Sequence, residues 1–485
     1  MNIPGETESN RTREKEKFGK EVMMTAEMAD IAVKGGILVS SKGMKPGDIF
    51  IKDGLIDSIE PSGSTKLASR VIDASGKFVL PGIIDAHNHP VYGDRIDTLS
   101  QSAIYGGITT LIPYIGAIKA WGSTGTLFDA VTDFIEEGQT TSATDFAIHC
   151  ALCANDMETA DTVIPKVIEL GVISFKAFMA YAKRGMMLKD EELMKVMEII
   201  AQNKALFAVH AENGTVLDYL EDRFIAQGNL GTEFYAPSHP NIAEAEAVFR
   251  ILTLAKVMGC PFYLPHISAW ESLEVVRLFK EWGEPKLFVE TCTHYLTLTD
   301  EDTKKRGSLG KVGPPLREER DIEALWTAVQ EGLIDVIGSD AAGYMVKAKE
   351  PIWENVFKAG SGLPGVETMF TVAYDEGVNK GRITLPLLVK LTCENPARIF
   401  GIYPKKGVLA EGSDADVVIF DPGIPHTIRA ENQHLKSDYS MYEGRECMGA
   451  PSLVILRGKV ALEDGKLKVE PGQAKYLPGD ISDLK

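Results

Sequence analysis

Two patterns of apolar positions divide the chain. From about Ala32 to Ala74, short runs are broken by glycine-rich turns: Gly36-Ile37-Leu38-Val39, Asp48-Ile49-Phe50-Ile51, Leu55-Ile56-Asp57-Ser58-Ile59 and Val71-Ile72-Asp73. These read as strands. Similar runs return at Asp416-Val417-Val418-Ile419-Phe420, Leu453-Val454-Ile455-Leu456 and Lys459-Val460-Ala461-Leu462. Neither end is long enough to make a good core alone, so the pattern predicts one small β-sandwich built from both termini. Between them, strand-like runs occur at Phe78 to Asp85, Gly107 to Ile115, Asp145 to Leu152, Val172 to Met179, Ala205 to His210, Pro261 to Ile267, Lys286 to Cys292 and Ile334 to Ser339. Amphipathic helical stretches separate most of them, as at Asp190 to Gln202, Ala243 to Met258 and Arg320 to Glu331. Strand–helix units in this number predict an α/β fold, a (β/α)8 barrel. The expected division is a polar tail (1–27), a first part of the sandwich (28–78), the barrel (79–404), a second part of the sandwich (405–468) and a C-terminal tail (469–485). The runner-up is an open doubly wound sheet. That fold normally carries a phosphate-binding glycine turn after its first strand, where this chain has His87-Asn88-His89.

Composition narrows the function. The chain is 44% hydrophobic and 25% charged, as ordinary globular proteins are. Its net charge of −18 argues against nucleic-acid or anionic-membrane surfaces. No apolar run reaches the ~18 residues that span a bilayer, and the first residues lack the apolar segment of a secretory signal. Six cysteines, sparse and irregular, suit free thiols in a reducing cytoplasm. Cys150-x-x-Cys153 closes a strand-like run and reads as structural. Gly360-Ser361-Gly362-Leu363-Pro364-Gly365 matches a dinucleotide fingerprint in form only: it follows no strand and contains a proline, so it reads as a tight loop lining a pocket.

The candidate chemistry lies at the strand ends, where the active site of such a barrel sits. The first run climbs into His87 and His89, spaced so that both imidazoles share a face. The fourth carries Lys176 between Phe175 and Phe178, the fifth ends at His210, the sixth at His266 and the eighth at Asp340. Four histidines, a lysine and an aspartate at five strand ends predict a binuclear metal site. An ammonium among phenylalanines is costly to bury unpaired. Lys176 either snorkels to the rim, or is deprotonated by burial and carboxylated by CO2 to an anion that bridges two cations. His149 and His294 also fall on strands and read as core or supporting residues.

These segments carry a resemblance. Pro81-Gly82-Ile83-Ile84-Asp85-Ala86-His87-Asn88-His89, Ser174-Phe175-Lys176-Ala177-Phe178-Met179-Ala180-Tyr181, Val209-His210-Ala211-Glu212-Asn213, Val289-Glu290-Thr291-Cys292, Pro314-Pro315-Leu316-Arg317, Asn395-Pro396-Ala397-Arg398 and Gly412-Ser413-Asp414-Ala415-Asp416 resemble the cyclic amidases of the amidohydrolase superfamily, the dihydropyrimidinase and hydantoinase group. The likeness runs from about residue 30 to 465. It implies that His87, His89 and Asp340 hold one divalent ion, His210 and His266 the other, and carboxylated Lys176 both. Zinc is the usual ion; manganese, cobalt and iron also suit such donors. It implies hydrolysis of a small cyclic amide, a dihydropyrimidine or 5-substituted hydantoin, to an N-carbamoyl amino acid. A metal-bridging hydroxide attacks, Asp340 acts as general base then acid, and Tyr181 donates to the oxyanion. Backbone at Gly313 and Ser361 holds the ring's imide edge, although the group more often has Ser and Asn there. Val91 stands where dihydroorotase-like relatives place an arginine, and Ala341 where a histidine is common. Allantoinase is the alternative activity; a non-catalytic scaffold relative is disfavoured because every ligand position is filled. A homotetramer or homodimer is implied as well.

Overall fold

The computed structural model describes residues 28–123, 125–283 and 286–480, so the expected tail at 1–27 and the last five residues lie outside the described part. Eight parallel strands form the barrel wall: β1 (Ile83–Asn88), β2 (Ile108–Ile115), β3 (His149–Ala151), β4 (Ser174–Phe178), β5 (Leu206–His210), β6 (Phe262–Leu264), β7 (Leu287–Cys292) and β8 (Val336–Gly338). β1, β2, β4 and β5 are buried along their whole length, as strands covered on both faces are. Helices such as Asp190–Gln202, Asn241–Met258 and Glu319–Gln330 pack outside, agreeing with the predicted helices to within two residues.

The seam between β8 and β1 is closed by polar chemistry. The Ser339 hydroxyl donates to Asp85 Oδ2 (2.6 Å), and the Ser339 N–H donates to Asp85 Oδ1 (2.9 Å). Beyond the seam, His89 N–H donates to the carbonyl of Ala341 at 2.8 Å. Burial pushes the Asp85 carboxyl up to about 6, against the pull of these donors. The seam brings residues 87–89 beside residue 340.

The second lobe is one nine-stranded mixed sheet drawn from both ends of the chain. Ala29–Ser40, Gly43–Lys52 and Leu55–Glu60 pair antiparallel in succession, and Val417–Thr427 pairs with Glu446–Leu456. Phe78–Pro81 joins the two halves, with Val417 opposite Pro81 and Phe420 opposite Phe78. Ile31, Val33, Ile49 and Ile51 share a core cluster with Val417, Ile419 and Ile455, so neither half is buried without the other.

Two predicted runs are split. The run from Phe78 to Asp85 breaks at Gly82, with Phe78–Pro81 in the terminal sheet and the rest in β1. A Cβ at Gly82 would lie 2.1 Å from Thr109 Oγ1 and 2.8 Å from Asp416 Cβ, so only glycine lets the two lobes meet there. The run from Asp145 to Leu152 becomes Asp145–Phe146 and β3, both paired with β2.

Candidate active site

The strand ends bring the six candidate residues together. Asp340 Oδ1 lies 3.1 Å from His87 Nε2 and 3.2 Å from His89 Nε2. Lys176 Nζ lies 3.2 Å from the same His87 nitrogen and 4.2 Å above the Tyr114 ring. His210 Nδ1 and His266 Nε2 are 3.1 Å apart. All six side chains are buried. Backbone conformation aims several of them: Tyr181, His266 and Asp340 have φ of 69°, 42° and 44°, a region that non-glycine residues adopt only at a cost of about 1–3 kcal/mol.

Two carboxylates decide which nitrogen each histidine offers. His87 Nδ1 donates to Glu290 Oε1 at 2.6 Å, and His210 Nε2 donates to Glu212 Oε2 at 2.8 Å. In the neutral rings, the remaining nitrogens are then bare lone pairs, His87 Nε2 toward Asp340 and His210 Nδ1 toward His266. His87 Nε2 and Asp340 Oδ1, two acceptors 3.1 Å apart, call for a positive charge between them, whereas His266 Nε2 can donate to or accept from His210 according to its tautomer. The donor set therefore fits a cation, and the donor atoms of His87, His89 and Asp340 lie within 4.8 Å of one another. Cys292 and His294 come within the same reach of Asp340. His149 is a satisfied core residue, bonded to Ser174 Oγ and the carbonyl of Ala86, both at 2.8 Å.

The electrostatics point the same way. Burial works against a charged His87, yet Glu290 and Asp340 raise its pKa. Burial alone would raise Asp340, but His87 and His89 hold its carboxyl well below the usual range. Desolvation lowers His89 to about 4 and Lys176 to about 8. The Lys176 amine thus has a substantial neutral fraction near neutral pH, the form that reacts with CO2.

A small cavity opens onto this cluster, lined also by Tyr181, Gly313, Ser361, Tyr92 and Trp121. A Cβ at Gly313 would lie 2.7 Å from the Tyr181 hydroxyl, so the bare backbone is what leaves that hydroxyl its place. Burial drives the Tyr181 phenol well above its ordinary value, which keeps it a donor. Ser361 and Gly362 bring the glycine-rich loop to the cavity wall, as expected of a pocket-lining turn. Cys150 and Cys153 are buried, and the Cys153 thiol is pushed up to about 12, in keeping with a structural role. A larger cavity of about 550 Å³ lies in the terminal sheet, away from the converging donors.

Glu290 and Glu212 were not singled out as supporting residues in the sequence. The signals were there: a glutamate inside the apolar run Phe288-Val289-Glu290 must be paired if buried, and Glu212 follows His210 by two residues.

A parallel eight-stranded barrel with a cation-seeking cluster at the strand C-termini defines a metal-dependent hydrolase class. Residues 78–461 match the amidohydrolase family, and the chain belongs to it. It is 38% identical to a D-hydantoinase of Ralstonia pickettii over 90% of this chain and 96% of that protein. A solved D-hydantoinase structure superposes with a TM-score of 0.87 at 36% identity, covering 93% of this chain and 99% of the other. The L-hydantoinase (dihydropyrimidinase) of Arthrobacter aurescens does so with a TM-score of 0.86 at 36% identity, with the same coverage.

Proposed function

We propose that this protein is a hydrolase that opens a cyclic amide, a dihydropyrimidine or 5-substituted hydantoin, to an N-carbamoyl amino acid. The observation that carries the reading is the convergence of His87, His89, Lys176, His210, His266 and Asp340, with neighbouring nitrogen and oxygen atoms 3.1–3.2 Å apart. His87, His89 and Asp340 would hold one divalent ion, His210 and His266 a second, and Lys176, carboxylated on Nζ, would reach both. Such ions, zinc first among them, would acidify a shared water and polarise the ring carbonyl. Water oxygen bonds to the carbonyl carbon as the ring C–N bond breaks. Asp340 accepts a proton from that water and returns it to the leaving nitrogen. The Tyr181 hydroxyl donates to the oxygen on which negative charge develops. Backbone at Gly313 and Ser361 holds the imide edge of the ring.

The reading includes a homotetramer or homodimer in the cytoplasm. Exposed Ile242, Phe249, Val257 and Trp282 on neighbouring outer helices support a subunit contact, and six unpaired buried thiols support a reducing compartment.

The test is ring opening by zinc- and bicarbonate-loaded protein on dihydrouracil, hydantoin and 5-phenylhydantoin. Turnover of these, lost on chelation, is expected; silence with two ions bound per chain would overturn the substrate assignment. Lys176→Ala is expected to abolish activity and lower metal content, with partial rescue by a short carboxylic acid. Full activity in that variant would exclude the carbamate.

A further inference from the structure

The cations around the active-site mouth are nearly all matched. Lys183 meets Asp222 at 2.6 Å and Asp218 at 3.6 Å. Lys311 Nζ donates to the carbonyls of Phe357 and Ala359, and Arg317 pairs with Glu244 at 3.0 Å. Arg184 differs. Its side chain lines the cavity that holds the donor cluster and also an adjoining cavity of about 300 Å³. Its neighbours are the phenols of Tyr92, Tyr181 and Tyr344, with Tyr92 in hydrogen-bond reach, and the Cys153 and Lys311 side chains. Asp218 and Glu221 line the adjoining cavity too, but Arg184 makes no ion pair with a carboxylate among the described residues.

The backbone holds Arg184 at a fixed place relative to the reacting ring. Arg184 N–H donates to the carbonyl of Tyr181 at 3.0 Å, and Met186 N–H donates to the same oxygen at 3.3 Å. Tyr181 and Gly185, at φ 69° and 70°, bracket that tight turn. The guanidinium carbon stands 5.4 Å from the centre of the Tyr181 ring. Tyr92, which accepts from Trp121 Nε1 at 2.9 Å and lies tilted against Tyr344 with ring centres 4.7 Å apart, forms the facing wall. With the ring held at Tyr181, Gly313 and Ser361, this wall and Arg184 are what a substituent leaving the ring would meet.

We propose that Arg184 makes this enzyme selective for rings whose side chain ends in a carboxylate, so that the product is the N-carbamoyl derivative of an acidic amino acid. The inference rests on the ring-opening function proposed above. A guanidinium is a planar fork of donors that matches a carboxylate in two parallel hydrogen bonds. Arg184 is exposed at the cavity mouth, where an incoming carboxylate can reach it beside the rings of Tyr92, Tyr181 and Tyr344.

Two near-isosteric substrates test this: 5-(2-carboxyethyl)hydantoin and its neutral amide, 5-(2-carbamoylethyl)hydantoin. In the metal-loaded enzyme the acid is expected to exceed the amide in kcat/KM by about tenfold or more. Arg184→Met is expected to bring that ratio to within about twofold of unity, and Arg184→Lys to restore part of it. A ratio at or below one in the unaltered enzyme, or one unchanged by Arg184→Met, would overturn the proposal. Calorimetric binding of both compounds separates it from the function it rests on. Tighter binding of the acid that depends on Arg184, without ring opening, would sustain the selectivity and overturn the reaction. Ring opening with equal binding and equal turnover would do the reverse.

Discussion

Glu290 takes three hydrogen bonds at once: from His87 Nδ1 at 2.6 Å, the Tyr263 hydroxyl at 2.5 Å and the backbone N–H of His266 at 3.0 Å. One buried carboxylate thus orients the His87 ring on one side of the cluster and the backbone of His266 on the other. Glu290→Gln keeps the shape and removes the charge. The expected outcome is a 10–100-fold loss of metal affinity with the fold retained, measured by competition with a chromophoric chelator; affinity within twofold of the unaltered protein would remove Glu290 from the metal centre. Tyr181→Phe keeps the ring and removes the donor. Because a donor aimed at a developing oxyanion acts in the transition state, kcat is expected to fall about 10²–10³-fold, with KM changed much less. At this scale the histidines and the aspartate were legible because each stands at the end of an apolar run, and the lysine because it stands inside one, between phenylalanines. Glu212 lies two residues past the imidazole it supports, but Glu290 comes from another run, and its meeting with His87 is fixed only when the strands are in register.

At the scale of elements, the eight barrel strands and the outer helices were legible from periodicity, because a strand covered on both faces must be apolar throughout. What an apolar run does not carry is the identity of its neighbour. Phe78 to Asp85 reads as one strand, yet its halves serve different sheets, and the contact that divides them, Gly82 against Thr109 and Asp416, joins distant residues. The same holds for the junction of the two lobes. Lys406 Nζ lies 2.7 Å from Asp145, 2.9 Å from Asp414 and 2.8 Å from Asp416, and its side chain is 1% exposed. Burial opposes the ammonium, but three carboxylates raise its pKa above the ordinary value. Lys406→Met would leave those carboxylates facing one another in the interior, with Arg457, 3.2 Å from Asp145, as their remaining cation. A loss of about 3–5 kcal/mol in unfolding free energy is expected, read from denaturant titration. A loss below 1 kcal/mol would mean that water reaches the cluster and the ammonium is dispensable.

For the whole molecule, stability as a function of pH follows from groups that are charged when unfolded and neutral when folded. His239 is such a group. It is 5% exposed, and its Nδ1 pairs with the Ser238 hydroxyl at 2.8 Å. Glu212 and Glu221 face it with negative charge, Glu221 at 3.9 Å, while Arg317 and Lys311 face it with positive charge, and the Tyr235 ring lies tilted against its own. Burial outweighs the glutamates and lowers its pKa from 6.5 to about 4. The unfolded chain therefore binds a proton below about pH 6.5 that the folded chain refuses until about pH 4. Stability contributed by this residue is complete above pH 6.5 and is lost progressively between those two values. The span corresponds to about 3 kcal/mol. His239→Gln removes the titration, and its effect is isolated by comparing slopes, since the metal ligands titrate alike in both proteins. Unfolding free energy measured in urea between pH 7.5 and pH 4 is expected to fall less steeply in the variant, by about that amount over the interval. Parallel curves would mean that His239 titrates in the folded protein as it does in the unfolded chain, with Glu212 and Glu221 offsetting the cost of burial.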